Sequence, residues 1–121
     1  MKAINLEQKY TKFTDHWSPK IIGEMNGQYI KLAKVQGEFV WHTHENEDEF
    51  FLVVKGKLTI KMHDGDVELK PGEMFVVPKG VEHCPVAQEE THIMLIEPQA
   101  TTHTGDVESA LTVAIEAQDW I

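Results

Sequence analysis

The chain has 121 residues, the size of one domain and enough to bury about two thirds of the surface that its unfolded form exposes. Its formal net charge of −9 produces an acidic surface, which argues against nucleic acid and anionic membranes as partners. The single cysteine, Cys84, excludes an intrachain disulfide, and no apolar stretch approaches the roughly 20 residues of a membrane span. Residues 1–10 lack the apolar core of a signal peptide, so we expect a cytoplasmic protein.

Residues 5–17 have the pattern of a short amphipathic helix. Four large apolar side chains follow helical spacing: Leu6, Tyr10, Phe13 and Trp17. Asn5, followed three positions later by Gln8, resembles the start of a capping box, and Pro19 ends the segment. We predict a helical segment within residues 1–19 that packs on the rest of the domain or on a second subunit.

From Ile21 onward, short apolar and β-branched runs alternate with Gly, Pro and Asp turn signals, which indicates antiparallel β-structure. The runs are I-I-G-E-M, Q-Y-I-K-L-A-K-V, E-F-V-W-H-T-H, E-F-F-L-V-V-K, L-T-I-K-M, V-E-L-K, M-F-V-V and T-H-I-M-L-I-E. We predict one all-β domain over 1–121, with a double-sheet jelly-roll barrel over 20–98 that encloses a cavity at one end. The apolar end of the arm over 99–121 should dock, and it makes a homodimer plausible.

A hairpin is predicted at Asp64-Gly65, since a two-residue turn there aligns apolar residues and opposite charges together. This turn pairs Met62 with Val67 on one face of the hairpin. It pairs Lys61 with Glu68 on the other face. Both sets of contacts favour the same register.

Three potential metal ligands, His42, His44 and Glu49, lie close together in the sequence. If residues 45–48 form a four-residue loop, an antiparallel hairpin places His44 opposite Glu49, with His42 two residues along the same face. Opposed Cβ atoms lie roughly 5 Å apart and same-face neighbours about 6.6 Å, so one ion can touch all three side chains. A fourth candidate, His83, follows a Pro-Lys-Gly turn.

Three imidazoles and one carboxylate suit a single divalent transition metal, namely Fe, Mn, Ni, Zn, Co or Cu. A site for Ca or Mg would consist of oxygen ligands instead. Four protein ligands on a metal that prefers six leave two adjacent positions. Such a site favours small molecules with neighbouring oxygen atoms.

The same residues match the two motifs of the cupin superfamily, G-x5-H-x-H-x3,4-E-x6-G and G-x5-P-x-G-x2-H-x3-N. The matching positions are His42, His44, Glu49 and Gly56 in the first motif, and Gly72, Pro78, Gly80 and His83 in the second. In two departures, Gly37 stands one residue too close to His42, and Ala87 replaces the usual Asn. The chain resembles the small single-domain cupins often labelled mannose-6-phosphate isomerase-like, a label that rests on fold-level analogy. The resemblance implies a jelly-roll barrel, also called a double-stranded β-helix, with His42, His44, Glu49 and His83 as metal ligands.

The remaining chemistry-bearing residues leave some questions open at this stage. Glu45 and Glu47 can replace Glu49 only if the predicted loop folds inward. His92 is in phase with Met94 and Ile96, so it would contact a bound ligand if that face of the strand points into the barrel. Cys84 should face away from the site and be buried. We expect three histidines on the surface: His16, His63 and His103.

The sequence favours a metal-binding enzyme that acts on a small oxygen-rich molecule by isomerase, lyase or dioxygenase chemistry, with no assigned general base. The alternative is a non-catalytic cupin that binds or senses a small ligand, or one whose metal chiefly stiffens the barrel. The chain contains no phosphate-binding G-x-x-x-x-G-K-S/T run, no G-x-S-x-G elbow and no Cys-x-x-Cys pair. Nucleotide hydrolysis, serine-type acyl transfer and dithiol redox chemistry therefore lack the residues that they need.

Overall fold

The computed structural model of the chain describes residues 1–100 and 118–121. The described residues form one helix and seven strands: α1 Leu6–Tyr10, β1 Lys20–Met25, β2 Gln28–Glu38, β3 Glu49–Lys55, β4 Leu58–Met62, β5 Val67–Leu69, β6 Met74–Val77 and β7 His83–Pro98. Every pairing between these strands is antiparallel. The predicted all-β class with a short N-terminal helix is confirmed.

Strand β7 organises the barrel because its 16 residues pair with three other strands. The main sheet has the order β1-β2-β7-β3-β6, and β4, with β5 beside it, joins the first half of β7. The run T-H-I-M-L-I-E, predicted as a separate strand, is the second half of β7. Alternate residues of the strands point inward and form the core, which includes Ala33, Val35, Phe51, Val53, Leu58, Ile60, Ile93 and Leu95.

The helix is shorter than the sequence pattern predicts. Its start is as expected, because the Asn5 side chain accepts a hydrogen bond of 2.9 Å from the Gln8 backbone N–H. It ends at Tyr10, and the chain then turns toward β2. The backbone N–H of Trp17 donates to the Lys34 carbonyl at 2.9 Å, so a contact with the sheet replaces the helical bond predicted there.

The hairpin predicted around residues 45–48 is wrong. Strand β3 pairs with β6 on one edge and with β7 on the other, so no edge remains for the run E-F-V-W-H-T-H. Within that run, beyond the end of β2, only His42 forms a bridge, and its partner is His83. The loop over 45–48 therefore leads from this bridge to the start of β3.

The hairpin between β4 and β5 forms, but with a register shifted by two residues. Thr59 pairs with Glu68 and Ile60 with Val67. A shift of two keeps each side chain on its predicted face, because the period of a strand is two residues. On its other edge β4 pairs with β7, with Met62 opposite His83, and residues 63–66 form the turn between β4 and β5.

The last four residues dock on β1. Trp120 forms a parallel bridge with Ile21, and the Ile121 N–H donates to the Ile21 carbonyl at 3.1 Å. The rest of the predicted arm, including His103, lies outside the described residues apart from its start at 99–100. In the described part of the chain, no helix has the length and apolar character needed to cross a membrane.

Candidate metal centre

Four buried side chains converge inside the barrel, and they are the four candidates from the sequence: His42, His44, Glu49 and His83. One potential ligand atom from each lies within 4.8 Å of the others, so the group could hold a metal ion. Backbone contacts bring them together. His42 and His83 exchange two N–H to carbonyl bonds of 3.0 Å, and the Gly80 N–H donates to the His44 carbonyl at 2.8 Å. These backbone bonds join the loop that carries His42 and His44 to the segment that leads into β7 at His83.

Two of the imidazoles are oriented by backbone carbonyls. Nδ1 of His42 lies 2.9 Å from the Val40 oxygen, and Nδ1 of His83 lies 2.9 Å from the Val81 oxygen. A carbonyl only accepts hydrogen bonds, so Nδ1 carries a proton in both rings and Nε2 is the nitrogen directed at the cluster. This is the arrangement that orients histidine ligands in metal sites.

The ring nitrogens and the Glu49 carboxylate fit a metal ion. Among the described residues, Nε2 of His42 and Nε2 of His44 are buried without a hydrogen-bond partner. The Glu49 oxygens lie 2.9 Å from His44 Nε2, outside hydrogen-bond geometry, and 3.2 Å from His83 Nε2. Buried nitrogen atoms that lack partners are costly, and a bound cation would satisfy them. Three imidazoles and a carboxylate are a donor set for a transition metal.

The electrostatics of the site also favour a cation. Burial lowers the pKa of His42 to about 4, which keeps its ring neutral near pH 7. Burial alone would lower the pKa of His44, but its contact with Glu49 outweighs this effect and raises it. Burial alone would raise the pKa of Glu49, yet the contacts with His44 and His83 outweigh it and hold that pKa below its usual range. Glu49 is therefore a carboxylate that attracts positive charge.

A buried ion pair lies beside Glu49, and the sequence analysis did not find it. Lys31 Nζ is 2.8 Å from Glu97 Oε1, and neither side chain has any exposed surface. Burial, with the charge of Glu49 second, raises the pKa of Glu97 to about 7. The signal available in the sequence was alternation, because Glu97 shares the phase of the apolar residues Ile93 and Leu95.

An apolar cavity of about 30 Å³ adjoins the four-residue cluster, which is room for about two water molecules. Its walls include Trp17, Phe39 and Phe51 together with His42 and Glu49. The Trp17 and Phe39 rings stack with centroids 4.5 Å apart. In this structure the cavity therefore has no room for a ligand larger than about two water molecules.

The other candidates lie away from the cluster. His92 stacks on Tyr10 with ring centroids 4.4 Å apart, on the outer face of the sheet. His16 and His63 each pair with a surface glutamate. Glu45 is exposed, so Glu49 is the carboxylate of the cluster. The Cys84 side chain is buried on the face opposite to His83, as alternation predicts.

This barrel and its cluster identify the class of the protein. Residues 29–107 match the model of the Cupin domain, so the chain belongs to the cupin family. The resemblance carried by the two sequence motifs is confirmed.

Three similar proteins extend the comparison. A cupin-2 domain protein from Shewanella frigidimarina is 54% identical, with a TM-score of 0.78 over 78% of this chain and 93% of that chain. "Uncharacterized protein YdbB" of Bacillus subtilis is 33% identical over 67% of this chain and 66% of its own length. "3-hydroxyanthranilate 3,4-dioxygenase 2" of Aspergillus clavatus is 30% identical over 69% of this chain and 46% of its own length. The chain thus spans about half of that dioxygenase.

Proposed function

We propose that this cupin is a metal-dependent enzyme that uses dioxygen to oxidise a small aromatic molecule with two adjacent oxygen or nitrogen substituents. One observation carries the proposal: buried imidazole nitrogens that lack hydrogen-bond partners converge with a carboxylate beside an apolar cavity. Among the reaction classes that the sequence allows, similarity to 3-hydroxyanthranilate 3,4-dioxygenases favours dioxygenase chemistry. His42, His44, Glu49 and His83 are the proposed ligands.

A transition metal bound to this donor set supplies polarisation of a chelated oxygen atom and access to dioxygen. The protein residues hold and shield that centre. The Val40 and Val81 carbonyls fix the rings of His42 and His83, and the Glu49 carboxylate balances part of the cation charge. The apolar walls exclude bulk water, which strengthens electrostatic interactions inside.

The aromatic wall supports a planar substrate. Trp17, Phe39 and Phe51 present rings to the cavity, and ring-to-ring packing is favourable at centroid distances of about 4.5–7 Å. The cavity itself is smaller than an aromatic ring, so the proposal requires the stacked Trp17 and Phe39 rings to separate when substrate binds.

The small cavity favours a second candidate, a cupin whose metal stiffens the barrel without turnover. The two functions differ in their response to ligands. A structural metal would raise the melting temperature with no further change on addition of any small molecule. A catalytic site would be stabilised further by its substrate or a substrate analogue.

The test starts from protein purified without a chelating tag, whose metal content is measured and which is then loaded with Fe²⁺. Oxygen uptake is followed with a panel of catechols and 2-aminophenols, and sugar phosphates are assayed in parallel for isomerisation. We expect substrate-dependent oxygen uptake that falls at least about 100-fold in His44→Ala. A rate that survives in His44→Ala contradicts metal catalysis. Isomerisation without oxygen uptake contradicts the proposed reaction class.

A further inference from the structure

Three charged side chains occupy neighbouring inward positions on β2, β7 and β3: Lys31, Glu97 and Glu49. Phe50 pairs with Ile96, so the next residues, Glu49 and Glu97, come opposite each other. On the other side of β7, Tyr29 pairs with Glu97, which places Lys31 diagonal to Glu97 on the same face. The three residues therefore form a row that ends at the candidate metal centre.

Stability does not account for the buried pair in this row. Lys31 and Glu97 are fully buried, and apolar replacements of such pairs are often neutral or stabilising. In addition, one oxygen of Glu97, Oε2, is buried without a hydrogen-bond donor among the described residues. The strand register puts Glu49 opposite Glu97, so the two carboxyl groups are neighbours. A buried polar atom without a partner requires an explanation, and the adjacent Glu49 carboxyl offers one.

We propose that Glu97, anchored by Lys31, is a positioning residue that holds the Glu49 carboxylate toward the three imidazoles. In this arrangement the free oxygen of Glu97, Oε2, carries a proton and donates it to the Glu49 carboxylate, because two ionised carboxylates have no donor between them. Lys31 donates to the other oxygen of Glu97, Oε1, and holds that side chain in place. This inference rests on the proposed metal function, because the orientation of Glu49 matters only if Glu49 is a ligand.

Two double variants that carry the same charge as each other test the proposal. Lys31→Met with Glu97→Gln keeps an amide N–H that can donate to Glu49, whereas Lys31→Met with Glu97→Leu removes every polar group at both positions. Co²⁺ binding is titrated by visible absorption, which reports the affinity and the coordination together. We expect about 10- to 100-fold weaker binding for the leucine variant and affinity within about threefold of the natural protein for the glutamine variant.

The absorption spectrum distinguishes positioning from a general structural effect. If Glu49 leaves the metal, the band of the leucine variant should shift to that of Glu49→Gln, which lacks the carboxylate ligand. A matched control replaces an exposed ion pair, Lys57 and Glu68, whose charged atoms lie 3.1 Å apart. Lys57→Met with Glu68→Leu should leave both the affinity and the spectrum unchanged.

Equal Co²⁺ affinity and an unchanged spectrum in the leucine variant would overturn the positioning role while leaving the metal site intact. Failure of the natural protein to bind Co²⁺ would instead overturn the proposed function. If the leucine variant does not fold, Glu97→Asp replaces it, because it keeps the carboxyl group but withdraws it from Glu49 by one methylene. Weaker binding by Glu97→Asp supports the proposal, and unchanged binding contradicts it.

Discussion

His42 and His83 are oriented in the same way, each by the carbonyl two residues before it. The Nδ1 atoms of both rings lie 2.9 Å from those oxygens, so both Nε2 atoms are available to the cluster. His63 provides a contrast, since it lies on the surface beside Glu82. The chemical environment, and not the residue type, therefore separates a candidate ligand from a surface histidine.

We expect His83→Ala to abolish stoichiometric metal binding, because the variant removes one of four converging donors. The matched variant His63→Ala should retain one metal ion per chain. Elemental analysis after reloading both proteins with Zn²⁺ and desalting checks this difference. Retention of a full ion by His83→Ala would show that His83 is not a ligand.

The thiol of Cys84 should be inert in the folded protein. Its side chain is buried, and burial, with the negative charge of Glu38 second, raises its pKa to about 11. Iodoacetamide reacts with the thiolate, which is scarce at pH 8 under these conditions. Mass spectrometry should show rapid alkylation in urea and little in buffer. Fast alkylation of the native protein would indicate that Cys84 is exposed.

At the scale of elements, the turn from β3 to β4 depends on a close contact with β7. The Thr91 hydroxyl donates to the Lys57 carbonyl at 3.0 Å and accepts from the Lys57 N–H at 3.1 Å. Gly56 has a φ of 92°, and a Cβ there would lie 2.5 Å from Thr91 Oγ1. Only glycine satisfies both the backbone conformation and the space.

Gly56→Ala should destabilise the protein by about 1–3 kcal/mol more than Gly72→Ala does. Gly72 has a similar φ of 85° but no heavy atom within 4 Å of an added Cβ, so the difference isolates the steric clash. Urea unfolding of both variants, followed by fluorescence, measures this difference. Equal losses of stability would mean that the backbone conformation alone determines the cost.

At the scale of the whole molecule, the four candidate ligands connect the start of β3, the start of β7 and the loop between β2 and β3. A bound ion would therefore link segments that are far apart in the sequence. We expect free metal at 100 times its Kd to stabilise the protein by about 2.7 kcal/mol and to raise its melting temperature by roughly 10 °C. Excess chelator should reverse the shift.

The melting experiment has an internal control. His83→Ala should show no metal-dependent shift, although its own melting temperature can differ from that of the natural protein. A shift of the same size in this variant would place the stabilising ion elsewhere. No shift in the natural protein would contradict a metal site that links these segments.

The predicted homodimer remains a prediction. Trp120 is 55% exposed although the neighbouring backbone docks on β1, and Met74 and Val76 on β6 are also exposed. Apolar surface of this kind is compatible with a subunit contact. Sedimentation equilibrium would measure the mass of the assembly.

The sequence by itself determined the types of the candidate ligands, the inward phase of Glu49 on β3 and the helix start at Asn5, because these depend on local spacing and local hydrogen bonds. The cupin motifs identified His42, His44, Glu49 and His83 through the same spacing. Only the tertiary structure decided which strands are neighbours. It replaced the predicted hairpin with the bridge between His42 and His83, since both edges of β3 were already paired.

The buried pair of Lys31 and Glu97 beside Glu49 also depends partly on the sequence and partly on the tertiary structure. Alternation puts Lys31 in phase with Ala33 and Val35, but the sequence alone does not say which phase faces inward, and Lys31 and Glu97 are 66 residues apart in the chain. Their contact exists because β2 pairs with β7, and Glu49 lies beside them because β3 pairs with the opposite edge of β7. Such pairing depends on the burial of apolar faces across the entire barrel, so no local window of the sequence contains it.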